Sequence, residues 1–196
     1  FNAPEIVETI AREKIAIATV VGDAMARPLV TAIEEVLADG SHDPTSLVVV
    51  ANGGALFTPA VKGRLVAALP NAMVIDGVGS SETGAQMSHV STKANVSSGT
   101  FTAGPATRIV SEDFTALLAP GHEGNGWLAQ EGHVPLGYKG DAAKTAKTFP
   151  VIDGIRYAVP GDRARLLEGG TVELLGRDSV TINSGGEKIF AEEVES

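Results

Sequence analysis

The feature that most constrains the fold is the run Leu47-Val48-Val49-Val50-Ala51, followed at once by Asn52-Gly53-Gly54-Ala55. Continuous apolar residues without polar alternation match a parallel strand buried on both faces, and the glycines supply a turn out of it. Parallel strands need a crossover, usually a helix. The flanking sequence offers both partners. Residues 15–21 read as a short buried strand. Asp23 reads as the cap of a helix with Leu29, Ile33, Val36 and Leu37 on its inner face. Thr58-Pro59 reads as a cap followed by Pro at the first helical position, with Val61, Leu65, Val66 and Leu69 facing inward. Met73-Val74-Ile75 opens the next strand. Ahead of all this, Asn2-Ala3-Pro4-Glu5 has the form of a capping box before a helix carrying Ile6, Ile10 and Ala11. Strand, helix, strand, helix, strand predicts βαβ units and a parallel sheet.

The pattern changes after residue 95, where Gly, Pro and short strand-like pieces take over. Arg108-Ile109-Val110, Ala116-Leu117-Leu118 and Gly126-Trp127-Leu128 read as short strands. Residues 163–167 and 171–175 flank Glu168-Gly169-Gly170, a hairpin signal. Thr181-Ile182-Asn183 and Lys188-Ile189-Phe190 flank a second Gly-rich turn. The expected class is α/β, a parallel βαβ layer followed by an antiparallel, barrel-like β subdomain. The last residues, from Phe190 to Ser196, resemble the opening turn of an amphipathic helix with acids at its N-terminus. The chain thus reads as cut inside a further domain.

Composition narrows the function. With 43% hydrophobic residues, the chain has enough apolar surface for a core. Asp and Glu number 24 against 15 Lys and Arg, a net charge of −9, which argues against a nucleic-acid partner. The absence of Cys excludes disulfides, Cys-ligated zinc and thiol catalysis. No apolar run approaches the roughly 20 residues of a membrane-spanning helix, and Phe1-Asn2-Ala3-Pro4 is no signal sequence, so a cytoplasmic location is expected. His42, His89, His122 and His133 lack the i,i+3 or i,i+4 spacing of a helical metal pair and read as loop or solvent-facing residues. Trp127 reads as a packing residue.

Four segments carry candidate chemistry. Asn52-Gly53-Gly54-Ala55 follows a strand, where α/β sheets bind ligands, though an ordinary βα turn would look the same. Asp76-Gly77-Val78-Gly79-Ser80-Ser81-Glu82-Thr83-Gly84 crowds glycines, hydroxyls and carboxylates together. Its hydroxyls and N–H groups could hold phosphates and its carboxylate Mg²⁺. It lacks the Lys of a Walker A loop, and a polar turn is the alternative. Pro160-Gly161-Asp162 offers a carboxylate for vicinal hydroxyls, or a turn Asp. Gly176-Arg177 offers a donor fork, or a surface Arg ahead of a Gly-rich hairpin.

In this order the four segments resemble the adenylate-forming superfamily, in its acyl-CoA synthetase (fatty-acid–CoA ligase) branch. Asn52-Gly53-Gly54-Ala55 is similar to that family's Gly-Gly-Ala loop, and Val78-Gly79-Ser80-Ser81-Glu82 to its Tyr-Gly-x-Thr-Glu motif. Gly161-Asp162 is similar to its Thr-Gly-Asp motif. Residues 176–186 are similar to the motif joining its large and small domains. Gly137-Tyr138 with Lys144-Thr145-Ala146-Lys147-Thr148-Phe149 resembles its Gly-Tyr…Thr…Phe stretch. The resemblance implies a chain that is part of a larger N-terminal domain, with an α/β subdomain at 1–95, an antiparallel β subdomain at 96–178, and a hinge and small-domain start at 179–196. It implies that Gly53, Gly54, Ala55, Asp76, Gly77, Val78 and Gly79 lie against the nucleotide, with Gly53-Gly54-Ala55 on adenine. Ser81 would contact phosphate oxygens and Glu82 would hold Mg²⁺, making these two the catalytic pair. Asp162 would bind the ribose hydroxyls with help from Arg177. Ser179 would be the hinge, and Ser184, Gly185 and Gly186 would face the CoA tunnel. Part of the acid's pocket would come from residues 20–25. ATP, Mg²⁺ and CoA are the implied cofactor and co-substrates, and a fatty or bulky apolar carboxylic acid is the implied substrate.

Three positions depart from the family pattern. Val78 stands in place of the aromatic, Ser81 in place of Thr, and Ser179 in place of the usual Asp or Lys. The family's phosphate loop and its C-terminal catalytic Lys would lie outside residues 1–196. An interior fragment is therefore expected, nearly inactive alone and open to self-association along an uncovered sheet edge. The alternatives are a truncated non-catalytic nucleotide- or partner-binding protein, and an adenylate-former that loads a carrier protein.

Overall fold

The computed structural model describes residues 1–177, 182–184 and 187–189. The chain divides into two compact units. The first comprises Phe1–Gly77 with His89–Ser98, and the second Val78–Ser88 with Gly99–Ser196.

The first unit alternates helix and strand. Its elements are α1 (Ala3–Glu13), β1 (Ile17–Val20), α2 (Gly22–Asp39), β2 (Val49–Gly53), α3 (Pro59–Ala68) and β3 (Met73–Ser80), whose last residues belong to the second unit. Helix α1 starts where Asn2 accepts from the Glu5 N–H and donates to the Glu5 carboxylate at 3.1 Å. Helix α3 starts where the Thr58 hydroxyl accepts from the Val61 N–H. Asp23 does not cap α2 as expected. Val21 is the cap, and Asp23 lies in the first turn, where its two oxygens accept from the Thr58 N–H (2.9 Å) and hydroxyl (2.8 Å). It ties the start of α2 to the start of α3 instead.

The strands β1, β2 and β3 pair in parallel, with Ile17, Val49 and Met73 in one row and Thr19, Ala51 and Ile75 in another. Val20, Val50 and Val74 turn into a core shared with Val7, Ile10, Leu29, Ile33 and Leu65 of the helices. Burial on both faces of β2 is not what the structure shows. Ile17 is 62% exposed, and Val48 and Met73 are each 37% exposed. The helices of this unit cover one face, so the apolar run around Val49 is longer than the helical layer requires.

The second unit is antiparallel. Its strands are β4 (Gly84–Ser91, shared with the first unit), β5 (Thr100–Ala103), β6 (Thr107–Val110), β7 (Gly126–Glu131), β8 (Val151–Ile152), β9 (Ile155–Ala158), β10 (Asp162–Leu166) and β11 (Thr171–Arg177). Their order is β4-β5-β11-β10-β7-β9-β8, with β6 on β7. Among the described residues this path stays open and does not close into a barrel. The predicted hairpin across residues 168–170 joins β10 to β11, and β12 (Ile182–Ser184) pairs with β13 (Glu187–Ile189) across the second Gly-rich turn. Ala116-Leu117-Leu118 is not a strand. Leu117 makes a single bridge to Val110, because the Ser111 hydroxyl accepts from the N–H groups of Thr115 and Ala116 and bends the chain. One helix was not foreseen, α4 (Ala142–Thr148), started by the Asp141 carboxylate on the Lys144 N–H.

Within the first unit, the carboxyl ends of the strands are held by buried polar groups. Lys62 of α3 is 1% exposed. Its ammonium donates to Asp76 Oδ2 at 2.5 Å, to the Ser97 carbonyl at 2.8 Å and to the Ser98 hydroxyl at 2.7 Å. Asp76 Oδ1 accepts from the Asn52 amide at 2.9 Å, which also donates to the Ala55 carbonyl. Asn52 Oδ1 accepts from the Gly22 N–H at 2.8 Å. Removing one member of a buried ion pair leaves an uncompensated charge. Lys62→Met is therefore expected to destabilise the chain by about 3–5 kcal/mol in chemical denaturation. Lys62→Met combined with Asp76→Asn should lose less, since no buried charge is left alone.

Candidate functional site

In the first unit, the candidate residues Gly53, Gly54 and Ala55 leave the carboxyl end of β2, and Asp76 and Gly77 lie midway along β3. Gly53 and Gly77 are register partners. A Cβ at Gly53 would meet the Gly77 carbonyl at 3.5 Å, and one at Gly77 would meet the Asn52 carbonyl at 3.6 Å. Both are ordinary contact distances, so packing does not require glycine at either place. What the pair leaves is a flat stretch of backbone with no side chain above it. Asp76 is enclosed. It is 6% exposed, and both carboxylate oxygens accept from groups inside the unit. Its effect on a ligand would pass through Asn52 and the loop that Asn52 holds.

Within the second unit, Gly79 is needed for a close approach. A Cβ there would lie 2.2 Å from the Gly84 carbonyl, where β3 turns back into β4. Val78 is partly buried against the core of Met87, Phe101, Ile109, Leu128, Ala164 and Val172. The turn between the strands is built by its own hydroxyls. The Ser80 N–H donates to Thr83 Oγ1 at 3.0 Å, and the Glu82 N–H donates to Ser80 Oγ at 3.2 Å. Ser81 is exposed and Glu82 half-buried. The Glu82 carboxylate accepts from the Tyr138 hydroxyl. That bond is the main reason its carboxyl is held below the usual carboxylate range, against the opposing effect of burial. Ser80 and the charge of Arg177 add to the lowering.

Asp162 and Arg177 come from separate motifs, yet they are register partners across β10 and β11. Arg177 Nε donates to Asp162 Oδ1 at 3.0 Å. The Asp162 side chain is 15% exposed and that of Arg177 51%. With the guanidinium half-exposed and screened by solvent, the pair contributes on the order of 1 kcal/mol or less to stability. Folding therefore gains little from it, and the pair sets a carboxylate and a guanidinium side by side where β10 begins and β11 ends. Ser179, Gly185 and Gly186 lie outside the described residues, and Ser184 ends β12.

Some working groups carry weak sequence signals. Lys62 stands beside Val61 on a helix stripe otherwise apolar at Leu65, Val66 and Leu69, and a lone charge in such a stripe marks a buried partner. Two of the histidines are tied into the fold. His122 Nε2 accepts from the Leu166 N–H at 3.2 Å, and His89 Nε2 lies 2.9 Å from the Ser97 hydroxyl. Trp127 packs as expected, stacked on Phe114 at 5.8 Å with the Arg163 guanidinium 3.5 Å from its ring centroid.

No family model matches the chain. Curated relatives do. The chain is 70% identical over its whole length to part of the "Medium-chain acyl-CoA ligase Mig" of Mycobacterium avium. It is 44% identical, again over its whole length, to part of a "Medium/long-chain-fatty-acid--CoA/3-oxocholest-4-en-26-oate--CoA ligase" of Mycobacterium tuberculosis. In both cases it spans 35% of the relative's length. Among solved structures, it is similar to an anthranilate CoA ligase, AuaEII, bound to anthranoyl-AMP. The TM-score there is 0.75 at 19% identity, over 98% of this chain and 36% of that one. It is also similar to the amide bond synthetase McbA of Marinactinospora thermotolerans, with a TM-score of 0.74 at 19% identity, over 99% of this chain and 38% of that one. Both structural likenesses concern the fold.

The two kinds of glycine separate on substitution. Gly79→Ala is expected to destabilise the chain by about 1–3 kcal/mol or more through overpacking. Gly77→Ala should be neutral or stabilising by up to about 1 kcal/mol, since alanine is the better strand residue. Thermal melts of the two variants side by side check the contrast.

Proposed function

We propose that this chain, similar over its whole length to part of two acyl-CoA ligases, is the nucleotide-binding core of an ATP-dependent carboxylic acid–CoA ligase. The supporting observation is the 70% identity, over the whole chain, to part of a medium-chain acyl-CoA ligase. The pairing of Asp162 with Arg177 adds geometry to it.

In this reading an apolar acid, of the fatty-acid class that the relatives' names give, attacks the α-phosphorus of ATP through a carboxylate oxygen. Pyrophosphate leaves, and an acyl-adenylate forms. The thiol sulfur of CoA then attacks the acyl carbonyl carbon, and AMP leaves. Such transfers depend on positioning and charge neutralisation more than on covalent help from the protein. Gly53, Gly54 and Ala55 take the adenine side, and Gly77 leaves its backbone bare for a planar ring. Asp162 accepts from the vicinal ribose hydroxyls. Arg177, held by Asp162, supplies donors to ribose or phosphate oxygens. Ser81 donates its hydroxyl to phosphate oxygens. Ser179 serves as the hinge, and Ser184, Gly185 and Gly186 face CoA.

Among the described residues, no group of three or more His, Cys, Asp or Glu is placed to hold a metal by itself. Mg²⁺ suits one or two carboxylates together with phosphate oxygens and water. A single ionised, half-buried Glu82 fits that donor set. When bound with the nucleotide, the metal would supply positive charge to the phosphates. No helix among the described residues is long and apolar enough to cross a membrane.

Two substitutions test this reading by calorimetric titration with a non-hydrolysable acyl-adenylate analogue. Asp162→Ala should weaken binding by roughly tenfold or more, the loss of hydrogen bonds to a charged acceptor. Gly77→Val should abolish binding while leaving the melting temperature of the chain unchanged or raised. Equal affinity across all three proteins would sink the nucleotide assignment.

A further inference from the structure

The segment around Tyr138 has no role in the reading above, yet its contacts converge on Glu82. The Tyr138 hydroxyl donates to Glu82 Oε1. The ring is fixed from two directions. It tilts against buried Phe149 with centroids 5.8 Å apart, and the Lys144 ammonium lies 4.1 Å from its centroid. The backbone is fixed as well. The Tyr138 N–H donates to Thr145 Oγ1 at 2.9 Å, and that hydroxyl donates to the Asp141 carbonyl at 2.7 Å. Asp141 caps α4 through the Lys144 N–H at 2.8 Å. A Cβ at Gly137 would lie 2.4 Å from Thr145 Cγ2, so glycine is what lets Thr145 close on the Tyr138 amide.

Helix α4 is too short to be stable by itself. It is ordered here by the Asp141 cap and by contacts with Tyr138 and Phe149. The two ends of this arrangement differ in exposure. Phe149 is buried, whereas Leu136, just before Gly137, is 94% exposed beside an open pocket of about 460 Å³. The phenol thus reaches Glu82 from a small rigid frame at the surface of the second unit.

We propose that Tyr138 is the positioning residue for Glu82 in metal–nucleotide binding. The proposal rests on the assignment of Glu82 as the metal-holding carboxylate. A carboxylate on a turn can rotate freely, and a ligating group works best when a second hydrogen bond fixes its direction. The Tyr138 hydroxyl occupies one oxygen and thereby sets the direction of the other. A phenol that acts through Glu82 should show its effect in metal binding and not in the binding of a metal-free nucleotide.

The test uses the whole chain, with Mn²⁺ as the probe and ATP saturating. Because ATP itself chelates Mn²⁺, protein-bound Mn²⁺ is read by water-proton relaxation enhancement, and AMP affinity is measured separately without metal. Glu82→Gln should lose most Mn²⁺ affinity. Tyr138→Phe should lose roughly 10- to 100-fold, with AMP affinity within about twofold of the unaltered chain if the phenol acts only through Glu82. Unaltered Mn²⁺ affinity in Tyr138→Phe, with a loss in Glu82→Gln, overturns the positioning role and leaves the Glu82 assignment standing. Loss of AMP and Mn²⁺ binding together in Tyr138→Phe shows a general structural role and also overturns it. No loss in Glu82→Gln, or no Mn²⁺ binding by the unaltered chain with ATP, overturns the Glu82 assignment and the proposal with it.

Discussion

Lys62 brings a positive charge into the core of the first unit, and the arrangement of that unit's strand ends follows from where its three donors go. An ammonium can be buried only if each N–H finds an acceptor and the charge finds a counterion. Asp76 supplies the counterion, while Ser97 and Ser98 supply the remaining acceptors. Asp76 must then satisfy its second oxygen, which it does through Asn52. The Asn52 amide reaches both the Ala55 carbonyl and the Gly22 N–H. The exit from β2, the start of α2 and residues 97–98 are thus linked by one chain of hydrogen bonds. Apolar packing alone is non-directional and would leave the loop at residues 53–55 several ways to sit.

Asp76 and Glu82 lie on the same short stretch of chain and show how environment separates two carboxylates. Asp76 is enclosed, with internal donors on both oxygens. Recruiting it to a ligand would mean breaking the ion pair that holds the strand ends. Glu82 sits in a turn, half-buried, and its anionic form is favoured mainly by a neutral phenol. A cation can approach such a group without displacing a buried lysine. The proposal therefore gives the metal-holding role to Glu82, while Asp76 holds the loop.

What could be read from the sequence was what is decided locally. Asn2 and Thr58 cap their helices because cap, Pro and spacing lie within a few residues. The hairpin from β10 to β11 follows from its Gly-Gly turn. Groups whose state depends on a distant partner were not legible. Lys62 is buried only because Asp76 and residues 97–98 arrive from elsewhere in the chain. Helix α4 has a sequence of alanines, lysines and threonines with no apolar stripe, and it is ordered by Asp141 and by contacts with Tyr138. The uncovered face of β1 to β3 was misjudged for a related reason. An apolar run reports that a strand can be buried on both sides, not that this unit's helices cover both.

Asp162 and Arg177 show how a one-residue shift of register brings two side chains together. Along most of the hairpin, Ala164, Arg165 and Leu166 oppose Leu174, Glu173 and Val172. Between Arg163 and Ala164 the register shifts, so that Arg163 faces Gly176 and Asp162 faces Arg177. Leu175 is the extra residue. Had the register of residues 164–166 run on without the shift, Asp162 would face Gly176, and Arg177 would project toward the other side of the sheet, since successive side chains alternate. A bulge re-aims a side chain in this way without changing any neighbouring contact along the rest of the strand. The acceptor and donor fork opposite one another at the open end of β10 and β11 thus depend on the shift of register that leaves Leu175 unpaired. Neither the Asp nor the Arg would reveal this when read alone.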